Sequence, residues 1–139
     1  MTTNKKLIAD VTVFSGNKIL LVKYKDSNMY DHQKGWFIPD DMIKDFEHPE
    51  DAAKRILSEQ LNLNINDLSM NHIESFKGND SSRHLVFHFK TEIKDSMKIN
   101  PSGELNECKW FESDNLPDKS EVVHHGWALY IIDEIKSAK

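Results

Sequence analysis

The stretch Trp36-Phe37-Ile38-Pro39-Asp40-Asp41-Met42-Ile43-Lys44-Asp45-Phe46-Glu47-His48-Pro49-Glu50-Asp51-Ala52-Ala53-Lys54-Arg55-Ile56-Leu57-Ser58-Glu59-Gln60-Leu61-Asn62-Leu63 decides the fold. Its first three residues are apolar and two are aromatic, which predicts a short strand at Trp36–Ile38. Pro39 stops it, because proline has no N–H for a sheet ladder. A helix follows. Pro49 suits a first helical position, and Glu50 and Asp51 put negative charge where the helix dipole is positive. Ala52, Ala53, Ile56, Leu57, Leu61 and Leu63 then recur at roughly helical spacing, and Asn62 and Asn64 lie where the helix ends.

Working outward, Leu7–Phe14 is rich in β-branched residues and reads as a strand, Ser15-Gly16-Asn17 is turn chemistry, and Lys18–Tyr24 is the returning strand. Residues 25–35 are polar and loop-like. After the helix, Leu68–Phe76 and His84–Thr91 read as strands about a turn at Gly78–Ser82. Leu85, Phe87 and Phe89 alternate with His84, Val86 and His88, so one of the two faces is expected in the core. Cys108–Phe111 is a further short strand, Asn115-Leu116-Pro117 closes it, and Val122–Ala138 reads as a second amphipathic helix. The order β-β-loop-β-α-β-β-β-α predicts an α/β (α+β) fold, a mixed sheet with helices packed on it. No repeat, low-complexity stretch or linker divides residues 1–139, so one domain is expected.

The central stretch resembles the Nudix box and its approach. The family pattern is an aromatic strand ending in Pro-Gly-Gly. A glycine is then followed by five residues, a glutamate, seven residues, and Arg-Glu-U-x-Glu-Glu-x-Gly-U, with U aliphatic. Here the frame holds without a gap, and Glu47, Arg55, Leu57, Glu59 and Leu63 match. The departures are Asp40 and Asp41 for glycines, Ile56 and Gln60 for glutamates, and Asn62 for the last glycine. Ile19–Lys23 is similar to the family's second strand. Glu104 to Phe111 with Asn115-Leu116-Pro117 is similar to its late Glu-x-x-Glu-x-x-Trp-Phe and Leu-Pro segment. The likeness covers nearly the whole chain and implies a mixed sheet sandwiched between helices.

The resemblance implies a hydrolase that cleaves the pyrophosphate of a nucleoside diphosphate linked to another group, with Mg2+ or Mn2+ as cofactor. Catalytic residues would be Glu59, Arg55 and Glu47, with Arg55 orienting Glu59, and the metal ligands Glu59 and Gln60. In the family three glutamates at helical spacing present their oxygens on one face. Here that face is Ile56, Glu59 and Gln60: one carboxylate, one neutral amide and no donor at all. Losing two anionic contacts at roughly 1–3 kcal/mol each lowers metal affinity by orders of magnitude. Asp40 and Asp41 could replace lost ligands or repel a phosphate. The alternative is therefore a catalytically inactive domain that binds a nucleotide or a protein partner.

Other residues carry weaker signals. Glu104 and Glu107 read as solvated acids before a strand, or as carboxylates lent to the site by the late loop. Glu47 and Glu59 each have a structural reading, as loop–helix stabiliser and partner of Arg55. His84 and His88 share one strand face as a metal pair does, and His124-His125 could join them. Histidines at the surface or lining a cleft are the plainer reading. Trp36, Trp110 and Trp127 read as core or core-edge, with base stacking as the functional option. Arg83 and Lys23 are strand-end charges open to phosphate.

The net charge of −5 argues against a nucleic acid polymer as partner. The expected partner is a nucleotide-type small molecule, with a homodimer left open. The single cysteine, Cys108, excludes an internal disulfide and fits a reducing compartment. The N-terminal residues do not lead into a signal-peptide core, and apolar runs such as Ile19–Val22 are too short to span a bilayer. A cytoplasmic protein without membrane contact is expected.

Overall fold

The computed structural model describes residues 5–25, 35–78, 81–94 and 98–137, with the backbone alone at His124 and His125. Its elements are strands β1 (Lys5–Ser15), β2 (Lys18–Tyr24) and β3 (Asp40–Met42), helix α1 (Pro49–Leu61), strands β4 (Ser69–Lys77), β5 (Arg83–Glu92) and β6 (Leu105–Glu112), and helix α2 (Val123–Ser137). The sheet runs β4-β5-β1-β2-β6, with β3 on β1. Strands β1 and β5 are parallel and the other pairs antiparallel, which makes the sheet mixed.

Strands β1 and β2 are joined by a turn at Gly16, yet they pair only at Phe14–Ile19 and Ser15–Lys18. Beyond that they part, and residues 36–42 fill the gap. Phe37 exchanges both backbone hydrogen bonds with Val22, at 2.8 and 2.9 Å. Pro39, which has no N–H, accepts from the Val11 N–H at 3.0 Å, and the chain then pairs with β1 from Asp10–Asp40 to Ile8–Met42. The strand expected at Trp36–Ile38 is thus displaced. Trp36 and Phe37 make isolated bridges, and the paired strand starts after the proline. The cause is the crossing: at Pro39 the backbone changes partner from β2 to β1, and no ladder continues through a residue lacking a donor.

With neighbours on both sides and helices over both faces, β1 and β2 are buried almost throughout. Ala9, Val11, Val13, Leu20 and Val22 face α1, whose Ala52, Ala53, Ile56, Leu57 and Leu61 complete one core. Ile19, Leu21, Phe37 and Ile38 face α2, where Ala128, Ile131, Ile132 and Ile135 complete the other. Two helices thus sandwich the sheet. On β5 His84, Val86 and His88 are buried on one face, while on the other Phe89 is buried in the α1 core and Leu85 and Phe87 are half-buried. This corrects the reading of those histidines as surface or cleft-lining. They lie on the α2 side, where the edge of Trp127 meets the His88 ring at 5.7 Å. No helix among the described residues is long and apolar enough to cross a membrane.

Helix α1 starts on His48 and Pro49 and ends on Asn62, which is left-handed at φ +54°. The Asn62 and Leu63 N–H groups bond back to Ser58 and Leu57 carbonyls at 3.1 Å, closing the last turn. Asparagine tolerates this conformation better than most residues. Its departure from the glycine of the box pattern therefore leaves the backbone shape intact.

Leu57 is fully buried between α1 and the sheet. Leu57→Ala should lower unfolding stability by about 2–5 kcal/mol. In urea unfolding this appears as a lower midpoint with an unchanged slope; a midpoint within error of wild type would contradict the packing described.

Candidate functional site

The site is built where β3, the following loop and α1 meet. Arg55 points from the middle of α1 back toward β3. Its Nε and Nη2 donate to the two carboxylate oxygens of Glu47 at 2.9 and 3.1 Å, a paired fork. Nη1 donates to Asp41 Oδ2 at 3.0 Å and Glu59 Oε1 at 3.2 Å, and Nη2 also to the Met42 carbonyl at 2.9 Å. One guanidinium, its side chain only 13% exposed, thereby holds three carboxylates and a strand carbonyl. Glu47 closes the loop from its own side by accepting the Lys44 N–H at 3.0 Å.

Charge follows this geometry. The bonds from Arg55 hold the Glu47 carboxyl below the ordinary glutamate range, against some desolvation. The bond from Glu47 is likewise the largest influence raising the Arg55 guanidinium. Glu104, at the start of β6, moves the other way. Partial desolvation raises its carboxyl, and the charges on Asp41 and Glu59 push it further in the same direction. The late loop thus brings Glu104 within electrostatic reach of the acids on β3 and α1.

The other two positions of the helix face turn inward. Ile56 is fully buried in the α1 core. Gln60 is 3% exposed. Its Oε1 accepts from the Tyr24 hydroxyl at 2.8 Å and its Nε2 donates to the Asp40 carbonyl at 2.9 Å. Tyr24 also bonds the Asp40 backbone as donor and acceptor, at 3.0 and 2.9 Å. Gln60 therefore locks β2 to the start of β3. Glu59, its side chain 54% exposed, is the one carboxylate on this face that reaches solvent.

Of the remaining predicted residues, Glu107 pairs with Lys23 at 3.1 Å. The Lys23 ammonium lies 4.6 Å from the Trp36 ring centre, and Trp36 packs edge-on against Phe111. Arg83 donates to Ser75 Oγ. Trp110 and Trp127 are half-buried at the core edge. Burial pushes the Cys108 thiol up to about 11, which removes it as a thiolate at neutral pH.

Among the histidines, His88 is buried with its Nδ1 at 2.8 and 2.9 Å from the Asp10 carboxylate and its Nε2 at 2.7 Å from Glu74. Burial lowers the His88 imidazole, and the two carboxylates outweigh it, so the net shift is upward. Its neighbour is His72 on β4, not His84; the side chains of His124 and His125 lie outside the described residues. Sequence reading missed Asp10, His72 and Glu74. The spacing of His72 and Glu74, two apart on a strand, was the available signal, but only the β4–β5 register brings them to His88.

The NUDIX domain family matches residues 5–129. A MutT NUDIX hydrolase from Burkholderia pseudomallei is 14% identical, with 98% of this chain and 99% of that one covered and a TM-score of 0.76. The NUDIX domain of Shewanella oneidensis NrtR, complexed with ADP ribose, is 14% identical over 98% and 89%, with a TM-score of 0.77. An Ap4A hydrolase from C. elegans, in a binary complex, is 15% identical over 96% and 99%, with a TM-score of 0.66. At these identities the likeness is one of fold. No curated protein matches the chain.

The Arg55–Glu47 fork makes stability depend on pH. Because the folded Glu47 carboxyl lies below its ordinary value of 4.5, its contribution is complete above that value and is lost as pH falls through the folded one. Between about pH 5 and 3 the urea midpoint of the native protein should therefore fall further than that of Glu47→Gln. Parallel declines would show that the fork contributes nothing.

Proposed function

Since this chain belongs to the Nudix family, we propose that it binds a nucleoside diphosphate linked to another group at the junction of β3 and α1, and hydrolyses it poorly or not at all. The observation that carries this reading is the allocation of the helix-face side chains. Nudix hydrolases generally use divalent metals, which neutralise phosphoryl charge and polarise the attacking water. The residues at the family's metal positions do not fit that use. Ile56 has no ligand atom and is in the core, Gln60 is engaged by Tyr24 and Asp40, and Glu59 is left as a single carboxylate shared with Arg55. No metal-dependent step follows from this face.

The scaffold around it is complete. Arg55 and Glu47 act as positioning residues that keep the β3–α1 loop in shape, and Asn62 ends the helix as a glycine would. A domain that keeps the loop–helix frame and lacks the ligand carboxylates is suited to recognition. The ligand class comes from the family and from the similar NUDIX domain complexed with ADP ribose.

A second reading, hydrolysis through a rearranged site, is favoured by one observation. The charges on Asp41 and Glu59 add to desolvation in raising the Glu104 carboxyl, and hard oxygen donors are what Mg2+ and Mn2+ take. In that reading Glu59, Asp41 and Glu104 would have to move together to hold the ion, and Gln60 would first have to give up its bond from Tyr24.

Calorimetric titration of ADP-ribose, followed by chromatographic assay for AMP with Mg2+ or Mn2+ present, separates these. Saturable binding is expected. Turnover should be about 10²- to 10⁴-fold below that of a relative with all three box glutamates, the loss expected for two anionic contacts. Efficient metal-dependent cleavage abolished by Glu59→Gln would establish the second reading instead. No binding of ADP-ribose or ADP by folded protein would sink the nucleotide reading and leave a protein partner.

A further inference from the structure

We propose that His72, Glu74 and His88 form a binding site for a divalent transition-metal ion of the zinc class, on the α2 face of the sheet and independent of the α1 site. The placement follows from register. His72 on β4 lies directly opposite His88 on β5, and Glu74 is two residues further along β4 on the same face. One ligand atom from each lies within 4.8 Å of the other two. Glu74 Oε1 is 2.7 Å from His88 Nε2 and 3.6 Å from His72 Nε2, and the imidazole rings are 4.5 Å apart. Bonds of about 2.0–2.1 Å in tetrahedral geometry put ligand atoms roughly 3.3 Å apart. The two distances from Glu74 Oε1 bracket that spacing, and side-chain rotation of the partly exposed His72 and Glu74 adjusts the set to it.

The donor set selects the ion. Two imidazole nitrogens and one carboxylate are the borderline mixture that zinc takes, whereas magnesium and calcium want oxygen throughout. Three protein ligands leave a fourth position for water, and the site has room for it on one side. His72 and Glu74 are partly exposed, while His88 is enclosed.

The surroundings of His88 are those of a metal ligand. The buried Asp10 carboxylate on β1 meets Nδ1 with both oxygens, which fixes the proton there and turns Nε2 toward Glu74. His88 Nε2 is thus the ring nitrogen that faces Glu74 Oε1, and a bound ion would lie between these two atoms. His72 Nδ1 is 2.7 Å from the Asn71 side-chain amide. Turning that amide over presents its oxygen to Nδ1–H and frees Nε2 as ligand. The ligands come from edge strand β4 and from β5, so the ion would tie the edge strand to the interior of the sheet.

The test is titration of ZnCl2 into untagged protein by calorimetry, with thermal unfolding in parallel and CoCl2 as a visible-absorbing substitute. One equivalent should bind saturably and raise the melting temperature. His72→Asn and Glu74→Gln, both at partly exposed positions and checked for folding by circular dichroism, should each weaken binding at least about tenfold. Glu59→Gln should leave it unchanged, which separates this site from the one at α1. Absence of saturable binding at millimolar Zn2+, or binding that both variants leave intact, overturns the proposal.

Discussion

The guanidinium of Arg55 ties together the loop before α1, strand β3 and α1 itself. Its five donor contacts reach the loop at Glu47, the strand at Asp41 and Met42, and its own helix at Glu59. Lysine could not replace it. A point charge on a flexible stem lacks the planar fork that engages both Glu47 oxygens while still reaching β3. The short strand β3 has three residues and borders a loop, so its position is set from the helix side as much as by its pairing with β1.

That arrangement explains how the box can differ from the family pattern at two glutamate positions and keep its form. The residues that shape the turn and those that would carry metal interleave along the same helix, but they face different ways. Arg55 and Glu59 face the loop; Ile56, Leu57 and Leu61 face the sheet; Gln60 is drawn inward by Tyr24. Replacing glutamate by isoleucine at position 56 adds apolar contact to the core, and glutamine at 60 satisfies a buried hydroxyl. Both changes suit packing, and so stability alone gives no pressure to restore the carboxylates.

The box and its helix were legible in the sequence because they depend on local signals. Proline at the helix start, apolar spacing along it, and asparagine at its end all act within a few residues. The same holds for the Arg55–Glu59 pair, one turn apart. The path of residues 36–42 was less legible, since whether a short apolar run pairs with β1 or β2 depends on how those two strands diverge. The His72–Glu74–His88 group was out of reach for a related reason. Its members are separated by the β4–β5 turn, and the buried Asp10 that orients His88 lies on β1, far away in sequence. Alternation along β5 announced two unlike faces with one in the core, whereas both are covered: Phe89 is buried on the α1 side and His84, Val86 and His88 are buried on the other. A histidine whose nitrogens both meet carboxylates can be buried as deeply as a valine.

The parallel pairing of β1 with β5 has a consequence for biosynthesis. Strand β1 leaves the ribosome before its parallel neighbour, and each paired residue of β5 follows 78 positions later. At translation rates of about 5–20 residues per second that delay is about 4–16 s. The early hairpin with β2 covers only its far end, and the wedge of residues 36–42 covers one flank. The other flank carries unpaired backbone donors and acceptors until β5 is made. Such an edge is a template for a second nascent chain. The centre of the finished sheet is thus the most vulnerable surface of the unfinished one, a reason for production of this protein to be more sensitive to synthesis rate and chaperone supply than its folded form suggests.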